Sequence, residues 1–213
     1  IKQQPNKKFL GIAPLYLAFY NLSNKSKENG YLKRIGEAPV LLNYRLARKS
    51  ASQIELFYKN NGYLDSDVSF YVVNKKHKAK ITYLINTGDK YKINTVNLRN
   101  TQGEKLSNIV QTHLNNSKIK QGAIYKYSEL EEERNLISIK IQNSGYYQFN
   151  KEYIYFLADT NQTNKSVDLN IIIKEVEKKT NGTIIKTQHK VGVISKVNIH
   201  ILSANDSLEI DTL

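Results

Sequence analysis

The sequence predicts an α+β chain of tandem β-α-α-β-β units, each a small mixed three-stranded sheet covered by two helices. Three observations lead there. Asn60-Asn61-Gly62-Tyr63 returns as Asn143-Ser144-Gly145-Tyr146, 83 positions later (145 − 62). Each Gly-Tyr pair follows an amphipathic helix pattern and precedes an aromatic, β-branched run, Val68-Ser69-Phe70-Tyr71-Val72-Val73 and then Tyr153-Ile154-Tyr155-Phe156. Thr95-Val96-Asn97-Leu98 is echoed by Lys196-Val197-Asn198-Ile199, as if each opened a unit. Self-similarity of this kind marks a repeat architecture.

The elements follow in order. Phe9–Leu22 is the one long apolar run, about 14 residues, too short to span a bilayer and interrupted by Gly11 and Pro14. It reads as a buried helix or irregular core segment. Pro39 turns the chain into a short extended piece. A helix is expected to start near Ser50, where Ser50 and Gln53 have capping-box spacing and Ser52 with Glu55 offers the alternative register, with Ile54, Phe57 and Tyr58 on its buried face. Gly62 ends it, because the residue after a helix commonly needs the left-handed conformation. Two strands follow, one with Val68, Phe70 and Val72 on a common face, the other with Ala79, Ile81, Tyr83 and Ile85.

The next unit opens with a strand over 91–98. A helix over 104–116 carries the stripe Leu106, Ile109, Val110 and Leu114. A second starts at Ser128, with Glu131 three residues on, and buries Leu130, Ile137 and Ile141. Glu131-Glu132-Glu133 reads as a charge cluster in its first turn, where negative charge suits the helix dipole. Gly145 ends this helix. Strands are expected over 149–157 and 167–174, then a linker or exposed hairpin over 175–190, then a strand over 191–201. The domains are therefore expected at 1–89, with a first strand upstream of Ile1, at 90–176, and at 177–213, a linker plus the first strand of a truncated third unit.

Lys and Arg total 32 against 19 Asp and Glu, a net charge of +13, which favours acidic partners such as nucleic acid or anionic lipid. Cysteine is absent, so disulfides, thiol catalysis and thiolate zinc sites are excluded from the segment. Methionine is absent even at position 1, so the segment is expected to be processed or excised, with any export signal upstream. His77, His113, His189 and His200 have no metal-ligand spacing. No nucleophile elbow, phosphate loop or dinucleotide fingerprint is present. The chain is expected to be neither an enzyme nor a cofactor or metal carrier. A basic α+β nucleic-acid-binding module is the alternative reading. It lacks the aromatic sheet motif and the Gly-x-x-Gly loop that such modules use.

The order of elements, with Gly62-Tyr63, Gly145-Tyr146 and the lead-in Gly88-Asp89-Lys90-Tyr91-Lys92-Ile93, resembles POTRA domains, the periplasmic modules of the BamA/TamA outer-membrane assembly family. Further segments are most similar to the Bacteroidota TamA-like lipoprotein branch. They are Ile1–Lys8, Leu17–Leu22, Gly36-Glu37-Ala38-Pro39-Val40, Glu133-Arg134 and Gly145-Tyr146-Tyr147-Gln148-Phe149-Asn150. Gln4 stands where that branch usually has Lys. The resemblance implies a role in outer-membrane protein assembly or translocation, without catalysis or nucleic acid. It implies unfolded outer-membrane protein clients, a periplasmic accessory protein and a C-terminal β-barrel of the same parent chain as partners. It also implies a periplasmic location, attached to the outer membrane through parts of the parent chain outside this segment.

The binding mode expected is β-augmentation, in which a partner adds a strand to an exposed sheet edge through main-chain hydrogen bonds. The candidate partner-binding residues are Val68, Ser69, Phe70, Tyr71, Val72 and Val73, with Tyr153, Ile154, Tyr155 and Phe156. Gly62, Tyr63, Gly145 and Tyr146 form the structural motif that delivers the chain into those strands.

Overall fold

A computed structural model describes residues 3–11, 13–23, 34–76, 78–100, 103–180, 182–197 and 199. His77, His200, Asn198 and the end of the expected 191–201 strand lie outside the described residues. The chain divides into two compact units. One comprises Ile1–Thr95, Ile119–Leu130 and Asp159–Asp168; the other comprises Val96–Lys118, Glu131–Ala158 and Leu169–Leu213. The architecture is mixed α+β.

In the first unit, α1 spans Leu15–Ser23 and α2 spans Tyr44–Asn60. The apolar run 9–22 is not the buried segment expected: Leu10 and Leu22 are exposed, and Ser23 is the one buried residue of α1. No described helix is long and apolar enough to cross a membrane. Helix α2 begins before the expected Ser50, because the Asn43 side chain accepts from the Leu46 N–H and caps it. Ser50 is instead fully buried, donating its hydroxyl to the Leu46 carbonyl. The buried face is Ala47, Ser50 and Ala51, extended by the half-buried Ile54 and Tyr58; Phe57 points to solvent at 62% exposure. The helix cap lies seven residues (50 − 43) before the expected one, and the buried stripe runs through Ala47, Ser50 and Ala51 and leaves Phe57 outside.

The amino-terminal segment is laced to the chain before α2 by side-chain amides. Asn6 donates from Nδ2 to the Ala38 carbonyl (2.6 Å) and accepts from the Val40 N–H (2.9 Å). Gln3 does the same with the Leu41 carbonyl (3.0 Å) and the Asn43 N–H (2.8 Å). These two side chains occupy the ladder positions a neighbouring strand would otherwise fill.

Strands β1 (Asp67–Lys75) and β2 (Lys78–Asn86) form an antiparallel two-stranded sheet, with Phe70 opposite Tyr83 and Val72 opposite Ile81. Helix α2 packs on it. A second sheet has the order β3-β5-β4, from β3 (Lys92–Asn100), β4 (Ile154–Asn161) and β5 (Ser166–Ile173).

In the second unit, α3 (Glu104–Leu114) contributes Leu106 and Val110 to the core. Helix α4 (Tyr127–Asn143) contributes Ile137 and Ile141. Phe149, Ile154, Leu169, Ile171 and Ile173 complete a set in which each side chain is at most 2% exposed. Burial of each contributes about 1.5–3 kcal/mol. Glu133 is buried, at 2% exposure. Its Oε2 lies 2.7 Å from His113 Nε2, and its Oε1 accepts from the Lys118 N–H. One carboxylate thus ties the end of α3 and the segment after it to α4.

Beyond β5, β6 (Val176–Thr180) and β7 (Thr183–Thr187) form an antiparallel hairpin. The expected strand over 191–201 is absent among the described residues 188–197 and 199. A strand requires a ladder partner, and here alternation has none; Val193, Ile194, Val197 and Ile199 are between 72% and 85% exposed.

Glu133→Ala should destabilise the chain by about 2–4 kcal/mol, since His113 and the Lys118 amide lose a buried acceptor. Glu133→Gln, which keeps an acceptor oxygen, should cost about half as much. Denaturant midpoints at unchanged m-value provide the check.

Candidate strand-addition edges

In β1, Val68, Phe70 and Val72 face α2 and are buried or half-buried, while Ser69, Tyr71 and Val73 are exposed on the opposite face. One side of β1 pairs with β2. No strand pairs with its other side among the described residues. β4 is likewise at a rim of its sheet, with β5 on one side. Ile154 is buried, Phe156 half-buried and Tyr155 exposed.

Tyr153 is not in the strand. It ends a single 3₁₀ turn, Lys151–Tyr153, whose cap is Asn150: the Asn150 side chain accepts from the Glu152 N–H at 2.9 Å. Its N–H donates to the Asn150 carbonyl and its carbonyl accepts from the Lys174 N–H, so its backbone offers nothing to an added strand. Cations flank the remainder. Lys174 Nζ lies 3.8 Å from the Tyr155 ring centroid, and the Arg134 guanidinium 5.9 Å from that of Phe156.

The sheet has another rim at β3, which is not open throughout. Segment 122–125 covers its start: Ile93 N–H donates to the Ala123 carbonyl, Gly122 N–H to the Ile93 carbonyl, and Tyr125 N–H to the Tyr91 carbonyl. No such cover lies along residues 154–158 of β4 or along β1 among the described residues. β2 is also a rim, a position sequence reading did not single out.

The Gly-Tyr turns hold these strands in place. Gly62 has φ +94°, and a Cβ there would sit 2.6 Å from the Tyr125 carbonyl oxygen. Its carbonyl accepts from the Tyr91 N–H at 2.8 Å. Tyr63 lies edge-on to Tyr58, with Lys90 Nζ over its ring. Just beyond, Asp65 accepts from the Tyr91 hydroxyl (3.0 Å) and from Lys165 Nζ (2.7 Å). The hydrogen bond from Lys165 holds the Asp65 carboxyl below its ordinary pKa, and burial pushes the Tyr91 hydroxyl above its own.

Gly145, with φ +99°, repeats the arrangement: its carbonyl accepts from the Gly192 N–H at 2.8 Å. Gly192 follows Tyr91 by 101 positions (192 − 91), the same offset that relates Lys196-Val197-Asn198-Ile199 to Thr95-Val96-Asn97-Leu98. Tyr146 is buried, and the ring of the exposed Tyr147 covers Gly192 so closely that a Cβ there would meet it at 2.3 Å. His189 stands edge-on to Phe149 and Tyr153, its centroid 4.7 and 4.4 Å from theirs. Its Nε2–H donates to the Lys174 carbonyl at 2.9 Å; a carbonyl only accepts, so that nitrogen carries the proton. Burial pushes its pKa below the ordinary 6.5, partly opposed by that hydrogen bond.

Among the described residues no three His, Asp or Glu side chains gather where they could hold a metal. The buried His113–Glu133 pair escaped sequence reading, although a signal existed: Glu133 lies three residues after Leu130 and four before Ile137, on the apolar stripe.

Residues 91–176 match the model of the POTRA family, described as surface antigen variable number repeat. This segment is a POTRA domain. It contains β3, α3, α4, β4 and β5, and hence the open β4 rim. Solved structures similar to the chain include Haemophilus influenzae BamA POTRA3-5, at 18% identity and TM-score 0.40, covering 61% of this chain and 50% of that one. Haemophilus ducreyi BamA lacking POTRA domains 1-3 gives 17% identity and TM-score 0.41, covering 75% and 27%. POTRA1-2 of the periplasmic domain of Anabaena Omp85 gives 13% identity and TM-score 0.36, covering 66% and 80%. The chain thus spans half the length of the first and about a quarter of the second. No curated protein matches the chain. The assignment rests on the family match to 91–176.

Gly62→Ala should cost about 2–4 kcal/mol, combining left-handed strain with a backbone clash. Gly122→Ala, at φ +83° with open space around it, should cost only about 1–2 kcal/mol in unfolding experiments.

The His189 anchor following the POTRA domain should be pH-dependent. Its folded pKa lies below its unfolded one, so anchoring is complete above about pH 6.5 and is lost as pH falls toward the depressed folded value. Exchange of the Gly192 amide, corrected for intrinsic rate, should accelerate over that window. His189→Phe should remove the acceleration.

Proposed function

We propose that this chain is the periplasmic POTRA region of an outer-membrane protein assembly or translocation factor. It binds client or accessory polypeptides by adding their strands to β1 and β4, without catalysis. The observation that carries the reading is the open outer side of β4 within a POTRA domain, where backbone groups without a strand partner offer sequence-tolerant hydrogen bonds. Tyr71 and Val73 on β1, and Tyr155 on β4, would supply apolar contact to alternate side chains of an added strand.

On this reading the domains are 1–89, 90–176 and 177–213, the last leading into a further unit. The equivalent bonds from Tyr91 to Gly62 and from Gly192 to Gly145 support that division. The chain works in the periplasm and is attached to the outer membrane through other parts of its parent chain, including a β-barrel. Membership of the Bacteroidota TamA-like lipoprotein branch rests on the motif resemblance alone.

Photo-crosslinking residues at Ser69, Tyr71, Tyr155 and Leu157, incubated with an extended peptide from an outer-membrane β-strand, should label several-fold more strongly than one at exposed Gln111 on α3. Labelling at the two strands no stronger than at Gln111 would sink the edge reading. Oligonucleotide binding that displaces the peptide and collapses with salt would favour the basic nucleic-acid module instead.

A further inference from the structure

The β6-β7 hairpin is a two-stranded sheet of its own, with no third strand paired to it among the described residues. A two-stranded ribbon alone is marginally stable in water, and this one exposes Ile184 (59%) and Ile185 (47%) beside its turn. Successive strand residues point to opposite faces, so the two isoleucines lie on different sides of the ribbon. The register sets a lysine opposite each: Lys179 faces Ile184 and Lys178 faces Ile185. Both faces near the tip therefore carry the same amphipathic pair. A flat protein surface could bury only one of them. The boundary between headgroups and acyl chains surrounds an inserted tip and meets both.

Charge points the same way. Residues 174–190 hold five lysines and two glutamates, a net of +3 without His189. Glu177 is paired with Lys186 at 3.5 Å, while Lys178 and Lys179 have no carboxylate within ion-pair reach among the described residues. The described residues of the tip, Thr180, Gly182 and Thr183, are uncharged. We propose that the β6-β7 hairpin is a membrane-surface probe: its tip enters an anionic lipid interface, with Ile184 and Ile185 at the acyl boundary and Lys178 and Lys179 on lipid phosphates. Lysine stems run along apolar surface while their ammonium groups reach outward, which suits this placement.

The chain has no cysteine, so Thr183→Cys offers a single attachment point for an environment-sensitive fluorophore, and Ser52→Cys on exposed α2 gives a control. The full chain is mixed with phosphatidylcholine vesicles with and without phosphatidylglycerol. A blue shift is expected at position 183 only with the anionic vesicles, and none at position 52. Joint replacement Ile184→Ser and Ile185→Ser should abolish it, and Lys178→Gln or Lys179→Gln should each weaken vesicle binding about fivefold. The unfolding midpoint should not move in these variants, which separates lost binding from lost fold. Equal shifts at both positions would mean general adsorption of a basic chain and overturn the proposal. So would a shift that survives the isoleucine replacements, one reproduced by soluble polyphosphate or an acidic protein, or no shift at all.

Discussion

The bond from the Tyr91 N–H to the Gly62 carbonyl is the constraint on which the first unit depends. It exists because Gly62 adopts a left-handed conformation, turning its carbonyl away from the helix it has just ended. Three segments converge there: the end of α2, the lead-in to β3, and the strip at 122–125 whose Tyr125 carbonyl leaves no room for a side chain. The hydroxyl of the same Tyr91 then reaches Asp65, fixing the turn that feeds β1. Position, backbone conformation and strand placement thus follow from one residue lacking a Cβ. Gly145 repeats the device in the second unit, with Gly192 as donor.

What the sequence made legible was whatever depends on local pattern. Periodicity identified Leu106 and Val110 on α3 and Leu130, Ile137 and Ile141 on α4, because a buried stripe repeats with the helix turn. The glycines were legible because few residues tolerate the conformation they adopt. The misses arose where a second segment decides. Asn43 caps α2 in place of Ser50, and Ser50, now inside the helix, bonds back to the Leu46 carbonyl and accepts from the Gln3 backbone amide. Asn150 curled Tyr153 out of β4. Valine and isoleucine alternation in 191–197 met no ladder partner among the described residues to make it a strand. The candidate site was legible only in part: β1 and β4 could be named, but the cover over β3 is a contact made about 30 residues along the chain.

The edges and the hairpin divide recognition between two kinds of group. At β1 and β4 the backbone would do the binding, and exposed aromatics only modulate it. At β6-β7 side chains would do it, with the isoleucines and lysines near the turn exposed. Lys174 beside Tyr155 would disfavour a strongly basic added strand at β4, whereas the Arg134 guanidinium near Phe156 is paired with Glu131.

The amide lacing of Gln3 and Asn6 has a chemical consequence. Each side chain must donate with its nitrogen and accept with its oxygen at once. Hydrolysis of the Asn6 amide to a carboxylate would keep the oxygen that serves Val40 but set a negative charge against the Ala38 carbonyl, 2.6 Å away. A single ageing event, invisible to any inspection of hydrophobic content, would turn a clasp into a repulsion. Gln3 would keep its own pair of bonds to Leu41 and Asn43, so such an event would open one of the two clasps and leave the other.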